Sequence, residues 1–269
     1  MKYFFYLLFL AFTHTYSQSG IITYESIINF GNSAPKKSEK KLFFNESASL
    51  YRSVANVSDR KENGQTTKTR SKKTIPIDEN TATETVNITY TSTFEPLYYF
   101  DVETQQFICR GTLFENKKFE PYIYKDNYAR KIQWQLKNEF KTISGYSCQK
   151  ATTDFRGRKY TAWFTTKIPL PYGPWKLNGL PGLILETYDE TGEIYIVAKK
   201  IEIPKNVKKF LKKPIEGAQI TFREFIERRS HESDDIIKAF MARLPKGTKN
   251  VTAKTKRTGF ELEYEWEKG

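Results

Sequence analysis

The sequence predicts a mainly β chain with C-terminal helices (α+β), in which an antiparallel meander forms a barrel or half-barrel and the helices cover one side. Three observations predict this. The 269 residues include 17 Tyr, 20 Phe and 4 Trp, and aromatic enrichment suits half-buried pleated surfaces and is foreign to disordered chains. Short alternating segments with turn signals between them follow one another along most of the chain, the pattern of a meander. After residue 221 the apolar spacing changes to that of helices.

Taken in order, residues 20–29 ("GIITYESIIN") alternate as a first strand, and "KKLFFNES" and "SLYRSVAN" follow as a second and third joined at Asn45-Glu46. Residues 59–80 are polar, charged and unpatterned, which predicts a long flexible hairpin loop or a disordered insert. Strands resume at "ETVNITYTST", "LYYFD", "QFICRGTLF", "FEPYIY" and "KIQWQL", then at "EFKTISGYSCQKATTDF" and "RKYTAWFTT", with a hairpin expected at Arg156-Gly157. "LILETYD" and "EIYIVAKKIEI" form another hairpin around Glu190-Thr191-Gly192. The helical segment is expected at 221–244. Thr221 and Glu224 make a capping box opening a first helix with Phe222, Phe225 and Ile226 on its apolar face. A second helix from about Ser233 to Leu244 places Ile236, Phe240 and Leu244 one turn apart, with Ile237 and Met241 beside them. The closing "FELEYEWEKG" alternates apolar residues with glutamate and is expected as an edge strand.

Residues 1–17 read as a secretory signal peptide: Lys2, an apolar run from Tyr3 to Phe12, and small residues at Thr15 and Ser17 before the expected cut. The run is too short to span a bilayer, which takes about 20 residues, and no cysteine follows it for lipoprotein processing. Residues 18–269 are then one β-rich domain of an exported protein, with the periplasm the expected destination and secretion the alternative. Net charge is +13, concentrated in Arg60–Lys73, Lys199–Lys213 and Lys246–Arg257. An exported protein rarely meets nucleic acid, so an anionic membrane surface, lipopolysaccharide or an acidic protein fits these patches better, and solvated loops are the plain alternative. Nothing in the sequence fixes the oligomeric state.

Two cysteines, Cys109 and Cys148, read first as a disulfide in an oxidising compartment, contributing about 3–4 kcal/mol in the chain-entropy model; two buried free thiols are the alternative. No metal site is expected, because one histidine, His231, remains beyond residue 17 and the cysteines have no ligand spacing. No catalytic residues and no cofactor are assigned. There is no G-x-S-x-G elbow and no phosphate-binding glycine loop, and His231 falls in the expected connection between the helices. Asp234 and Asp235 are explained by a helix N-terminus.

The stretch "IPLPYGPWKLNGLPGLILE", residues 168–186, stands apart. Pro169, Pro171 and Pro174 fix φ and remove donors, so it cannot join a sheet ladder and is expected to run over the surface or across a barrel mouth. Pro181 and Gly182 suit a type II turn. Leu183, Ile184 and Leu185 start a strand buried on both faces. A stiff loop that presents Tyr172 and Trp175, with Leu180 and nearby Trp163, makes a binding surface for a ligand or partner; packing of the leucines as core, with the rings as a lid, is the structural alternative.

"ISGYSCQKA" (143–151), "YTAWFTTKIP" (160–169), Gly173-Pro174 and "GLPGLILE" (179–186) resemble, in order and spacing, the GLPGLI family of exported proteins common in Bacteroidota. Pro169, Gly173, Pro174, Gly179, Pro181 and Gly182 carry that motif. The resemblance covers about 45 residues, and the family has no established activity to carry over. More faintly, "GYSCQKA" and "AWFTT" resemble periplasmic half-barrels of the LolA/LppX type, which hold acyl chains. These resemblances imply a non-enzymatic exported binding protein holding an apolar or lipid-like ligand in a β concavity. The alternatives are a module docking on an outer-membrane or envelope protein through residues 168–182, and a hydrolase of unrecognised type.

Overall fold

The computed structural model describes residues 18–30, 34–53, 67–76, 82–91, 95–115, 118–127, 129, 132–242 and 257–267. The expected signal peptide and residues 60–66 and 246–256 of two basic runs lie outside them. In chain order the strands are β1 (Gly20–Ile28), β2 (Lys36–Phe44), β3 (Ala48–Ser53), β4 (Thr67–Pro76), β5 (Ala82–Thr91), β6 (Leu97–Asp101), β7 (Gln106–Glu115), β8 (Lys118–Asp126), β9 (Gln135–Ile143), β10 (Tyr146–Phe155), β11 (Arg158–Thr165), β12 (Leu183–Asp189), β13 (Ile194–Glu202) and β14 (Ala218–Gln219), followed by the helix α1 (Phe222–Met241).

Twelve strands form one sheet in the order β14-β8-β7-β6-β3-β2-β1-β13-β12-β11-β10-β9. Two antiparallel meanders, β1 to β8 and β9 to β13, are joined where β1 pairs with β13. The edges β14 and β9 do not meet, so the sheet is not closed into a barrel. Alternation sets the faces: in β7, Phe107, Cys109 and Leu113 are buried between half-buried neighbours. Leu183, Ile184 and Leu185 of β12 are all fully buried, as their unbroken apolar run predicts.

Several expectations change. β4 lies inside the stretch expected as a loop at 59–80 and pairs with β5 in a two-stranded sheet of its own. "KIQWQL" contributes only Gln135 and Leu136 to a strand, and "EFKTISGYSCQKATTDF" is divided between β9 and β10 by a turn at Ser144-Gly145. Both of those residues have positive φ, 48° and 83°, which suits a tight hairpin whose twist matches its strands. Arg156-Gly157 makes the expected turn between β10 and β11 in the same way, at 47° and 77°.

One continuous helix replaces the expected two, so His231 is an exposed residue of α1 rather than part of a connection. No proline or glycine interrupts residues 222–241. Glu224 N donates to Thr221 Oγ1 at 3.0 Å, the expected cap. Phe222, Phe225 and Ile226 pack the start of the helix on β7 and β8; the Phe225 ring stacks on Tyr124 at 4.5 Å and occupies the space that a side chain at Gly111 would need. The side chains of Ile236, Ile237, Phe240, Met241 and Leu244 lie outside the described ones.

Among the described residues the segment expected as an edge strand forms none. Residues 257–267 are irregular apart from a single 3-10 turn at Glu265–Glu267, and Leu262 and Glu263 donate their N–H groups to the Arg156 carbonyl at 2.8 and 3.2 Å.

The expected disulfide is also replaced. Cys109 and Cys148 are free and buried. They belong to β7 and β10, with seven strands between them in the sheet order. Cys148 Sγ donates instead to Tyr146 O at 3.4 Å.

Candidate functional site

Residues 166–182, between β11 and β12, do not run over the surface. Exposures of 1% for Tyr172, 3% for Trp175, 1% for Leu177 and 1% for Leu180 place them in the core. The reason is shape: four prolines exclude the segment from the ladder, and its large side chains then fill the space between the two meanders. Tyr172 meets Phe44 of β2 and Phe100 of β6 at 6.3 and 6.1 Å and donates its hydroxyl to Asn45 O at 3.0 Å. Trp175 meets Tyr98, Phe155 and Tyr160 and stacks on Phe260 at 4.8 Å. It adopts a φ of 59°, a strained region for a bulky residue, and the four surrounding rings hold it there. Gly182 does not have the positive φ of a type II turn. It is required because a side chain there would lie 2.2 Å from Thr165 O, while Gly179 supplies the left-handed conformation at 90°. Tyr172, Trp175 and Leu180 are therefore an internal plug: the leucines pack as core, as the structural alternative has it, the two rings join them instead of presenting a binding surface, and Pro169, Gly173, Pro174, Gly179, Pro181 and Gly182 shape the segment.

Beneath the plug lies a charge cluster that the sequence did not reveal. Arg156 and Lys176 are each 1% exposed in their side chains and Asp126 is fully buried. Arg156 Nη1 and Nη2 donate to the two Asp126 oxygens at 2.7 and 2.8 Å, and Arg156 Nε donates to Glu265 Oε1 at 2.9 Å. Lys176 Nζ donates to Asp126 Oδ2 at 2.7 Å and to Glu261 Oε1 at 2.9 Å; Arg156 also contacts Glu261. Phe222 covers both cations, 4.8 Å from Arg156 and 4.5 Å from Lys176. Burial pushes the Asp126 carboxyl up, but the Lys176 charge and the Arg156 hydrogen bonds outweigh it and hold it well below the usual carboxylate range. With every cation taken by carboxylates of its own chain, the cluster is a structural latch.

The outer face of the sheet is different. Opposite partners place Lys150, Trp163, Glu186, Val197 and Glu25 on one row across β10, β11, β12, β13 and β1. The next row holds Thr161, Tyr188, Tyr195 and Ile27. Tyr188 and Tyr195 are half-buried and stack at 6.5 Å. Trp163, the fourth residue expected to bind, is 8% exposed, and its buried indole N–H has no hydrogen-bond partner. Lys141 Nζ lies 4.4 Å from the Trp163 ring and donates to Glu186 Oε1 at 2.6 Å. An unsatisfied buried donor is uncommon and needs a reason. The strip offers the half-buried rings of Tyr188 and Tyr195 with flanking charges of both signs, the composition of a recognition surface, while the Trp163 indole N–H is closed off from solvent. Sequence reasoning reached Trp163 but missed Tyr188 and Tyr195. The alternation in "LETYD" and "EIYIV" carried the signal, but only the register shows that both rings share the face with Trp163.

Chemistry of a bond-making kind finds less here. Burial pushes the Cys109 thiol up to about 12 and the Cys148 thiol up to about 11, so neither supplies a thiolate near neutral pH. Among the described residues no group of three or more His, Cys, Asp or Glu is placed to hold a metal ion.

Comparison with known proteins gives no match among curated sequences. Among solved structures the chain is similar to PNGF-II in a P21 crystal form, with a TM-score of 0.53 and 16% identity over 80% of this chain and 34% of that one. PNGF-II in a C2 form gives 0.52 and 14% identity over 80% of this chain and 33% of that one. At that identity the likeness is one of fold, and the chain spans about a third of those structures. A family model described as "N-glycanase peptide, N-terminal domain" matches residues 57–223, a stretch holding the plug, Asp126, Arg156 and Lys176, and the Trp163–Tyr188–Tyr195 strip. Since that match takes in more than half of the sequence, the chain belongs to the family of N-glycanase N-terminal domains.

Proposed function

We infer that this chain is a non-catalytic recognition domain that binds N-linked glycans on an exported or envelope partner through the outer face of its sheet. The observation that carries the reading is the stacked, half-buried pair of rings Tyr188 and Tyr195, flanked by the charged groups of Lys141, Lys150 and Glu186. Carbohydrates present apolar C–H faces, which suit the rings of Tyr188 and Tyr195, and hydroxyls, which pair with charged side chains at the rim of such rings. The family description names N-glycanases, and the part of them that this chain resembles is the N-terminal domain. The GLPGLI motif and residues 1–17 support an exported, periplasmic setting.

A carrier that holds a lipid in its concavity is the weaker reading. The inner side of the sheet is filled by Tyr172, Trp175, Leu177 and Leu180 of the chain itself, which leaves a lipid little room. Docking through residues 168–182 is weakened by the same burial.

The test is titration with a released N-glycan, followed by tryptophan fluorescence and calorimetry. Saturable binding is expected, about tenfold weaker in Tyr188→Ala, which removes one of the two stacked rings, and weaker again when Tyr195→Ala is added. No saturation at millimolar glycan, or unchanged affinity in Tyr188→Ala, overturns the reading. Lipid co-purifying in native mass spectrometry restores the carrier.

A further inference from the structure

The connection from β13 to β14, residues 203–217, combines exposed apolar tips with uncompensated positive charge. Ile215 is 87% exposed and Phe210 39%. The segment is pinned to the sheet rather than loose: Val207 is buried against Ile21 and Phe43, Phe210 stacks on Phe43 at 5.0 Å, and Leu211 N donates to Val207 O at 3.0 Å. Of its five lysines, Lys205 lies 3.6 Å from Glu202 and Lys213 2.6 Å from Asp101. Lys208, Lys209 and Lys212 are exposed and have no carboxylate partner among the described residues. Glu216, the one acid of the segment, is taken by Arg110 at 2.7 Å. A cleft of about 630 Å³ opens beside them, lined by Ser19, Asn45, Lys205, Val207, Lys208 and Leu211 among others.

We propose that residues 203–217 dock the protein on an anionic lipid membrane. Lys208, Lys209 and Lys212 meet headgroup phosphates, the cleft between Lys205 and Lys208 takes one of them, and Ile215 and Phe210 enter the interface. Charge complementarity selects this occupant. A stable protein partner takes about 20–30 residues a side around an apolar centre, whereas a few lysines and two apolar side chains suffice for reversible binding to a charged bilayer surface. The inference is independent of glycan recognition, which uses Tyr188 and Tyr195.

Vesicle co-sedimentation tests it, with phosphatidylcholine alone and with phosphatidylcholine carrying phosphatidylglycerol. Binding is expected only to the anionic vesicles and is expected to disappear as salt rises from about 0.1 M to about 1 M, where the screening length falls from about 10 Å to about 3 Å. Replacing Lys208, Lys209 and Lys212 together by Gln lowers the partition coefficient roughly a hundredfold, at about fivefold per lysine. Ile215→Ser lowers it further without changing the thermal unfolding midpoint, since Ile215 lies outside the core. Equal binding to neutral vesicles, no binding to anionic ones at low salt, or a triple variant that binds like the parent, which would assign the contact to the other basic runs, each overturns the proposal. Retention of the glycan response in the triple variant separates the two functions.

Discussion

At the scale of single residues, Asp126 is a carboxylate held wholly in the interior. Its two oxygens hold Arg156 and Lys176, and removing the carboxylate would leave two cations buried with fewer partners. Asp126→Asn is therefore expected to cost about 3–5 kcal/mol at neutral pH in urea unfolding. Because the folded carboxyl titrates below its unfolded value of about 3.9, its contribution is complete well above that value and is lost as the pH falls toward the folded one. Stability should drop between about pH 5 and about pH 2, and Asp126→Asn should flatten that drop. The cysteines make a second residue-scale prediction. With burial holding both thiols above neutrality, a thiol reagent should label neither in the native protein and both after unfolding, without prior reduction. Two cysteines in a chain expected to be exported predict a bond; the strand order instead puts them on strands with seven others between them, and both are free.

At the scale of elements, the strands were the most legible part. "LYYFD" and "LILETYD" coincide with β6 and β12, because alternation and bounding turns are local signals. β9 was harder: its edge position leaves Leu136 and Phe140 exposed at 52% and 61%, so its pattern does not alternate by burial. The depth of the plug is not local information. Prolines and glycines say that a segment avoids the ladder, but not whether it lies above the core or within it. Gly182→Ala tests the packed reading, since the added methyl meets backbone rather than a movable side chain. A loss of about 1–3 kcal/mol is expected, measured by denaturant unfolding. At α1, Thr221→Ala should remove the cap to Glu224 N and cost about 1 kcal/mol, with helicity reduced in far-ultraviolet dichroism.

At the scale of the molecule, distant segments close the structure. The C-terminal residues Phe260, Glu261 and Glu265 reach Trp175, Lys176 and Arg156, and Tyr160 donates its hydroxyl to Phe260 O at 2.7 Å. Ending the chain after residue 256 uncovers Trp175 and removes two of the three carboxylates from the latch. Its unfolding midpoint should fall by roughly 10 °C, at about 2–4 °C per kcal/mol for a domain of this size. An unchanged midpoint would show that the tail does not bear on the latch.

Local pattern was enough to establish the mainly β class, most strand positions, the capped start of α1 and the separateness of residues 168–186, since all of these rest on side-chain alternation and on the conformational limits of proline and glycine. Packing in three dimensions settled that the plug turns inward, that the cysteines stay apart, and that Asp126, Arg156, Lys176 and Glu261 meet. It also put Tyr188 and Tyr195 on the same face as Trp163. Those outcomes depend on strand order and on contacts between residues far apart in the chain, and no local periodicity encodes them.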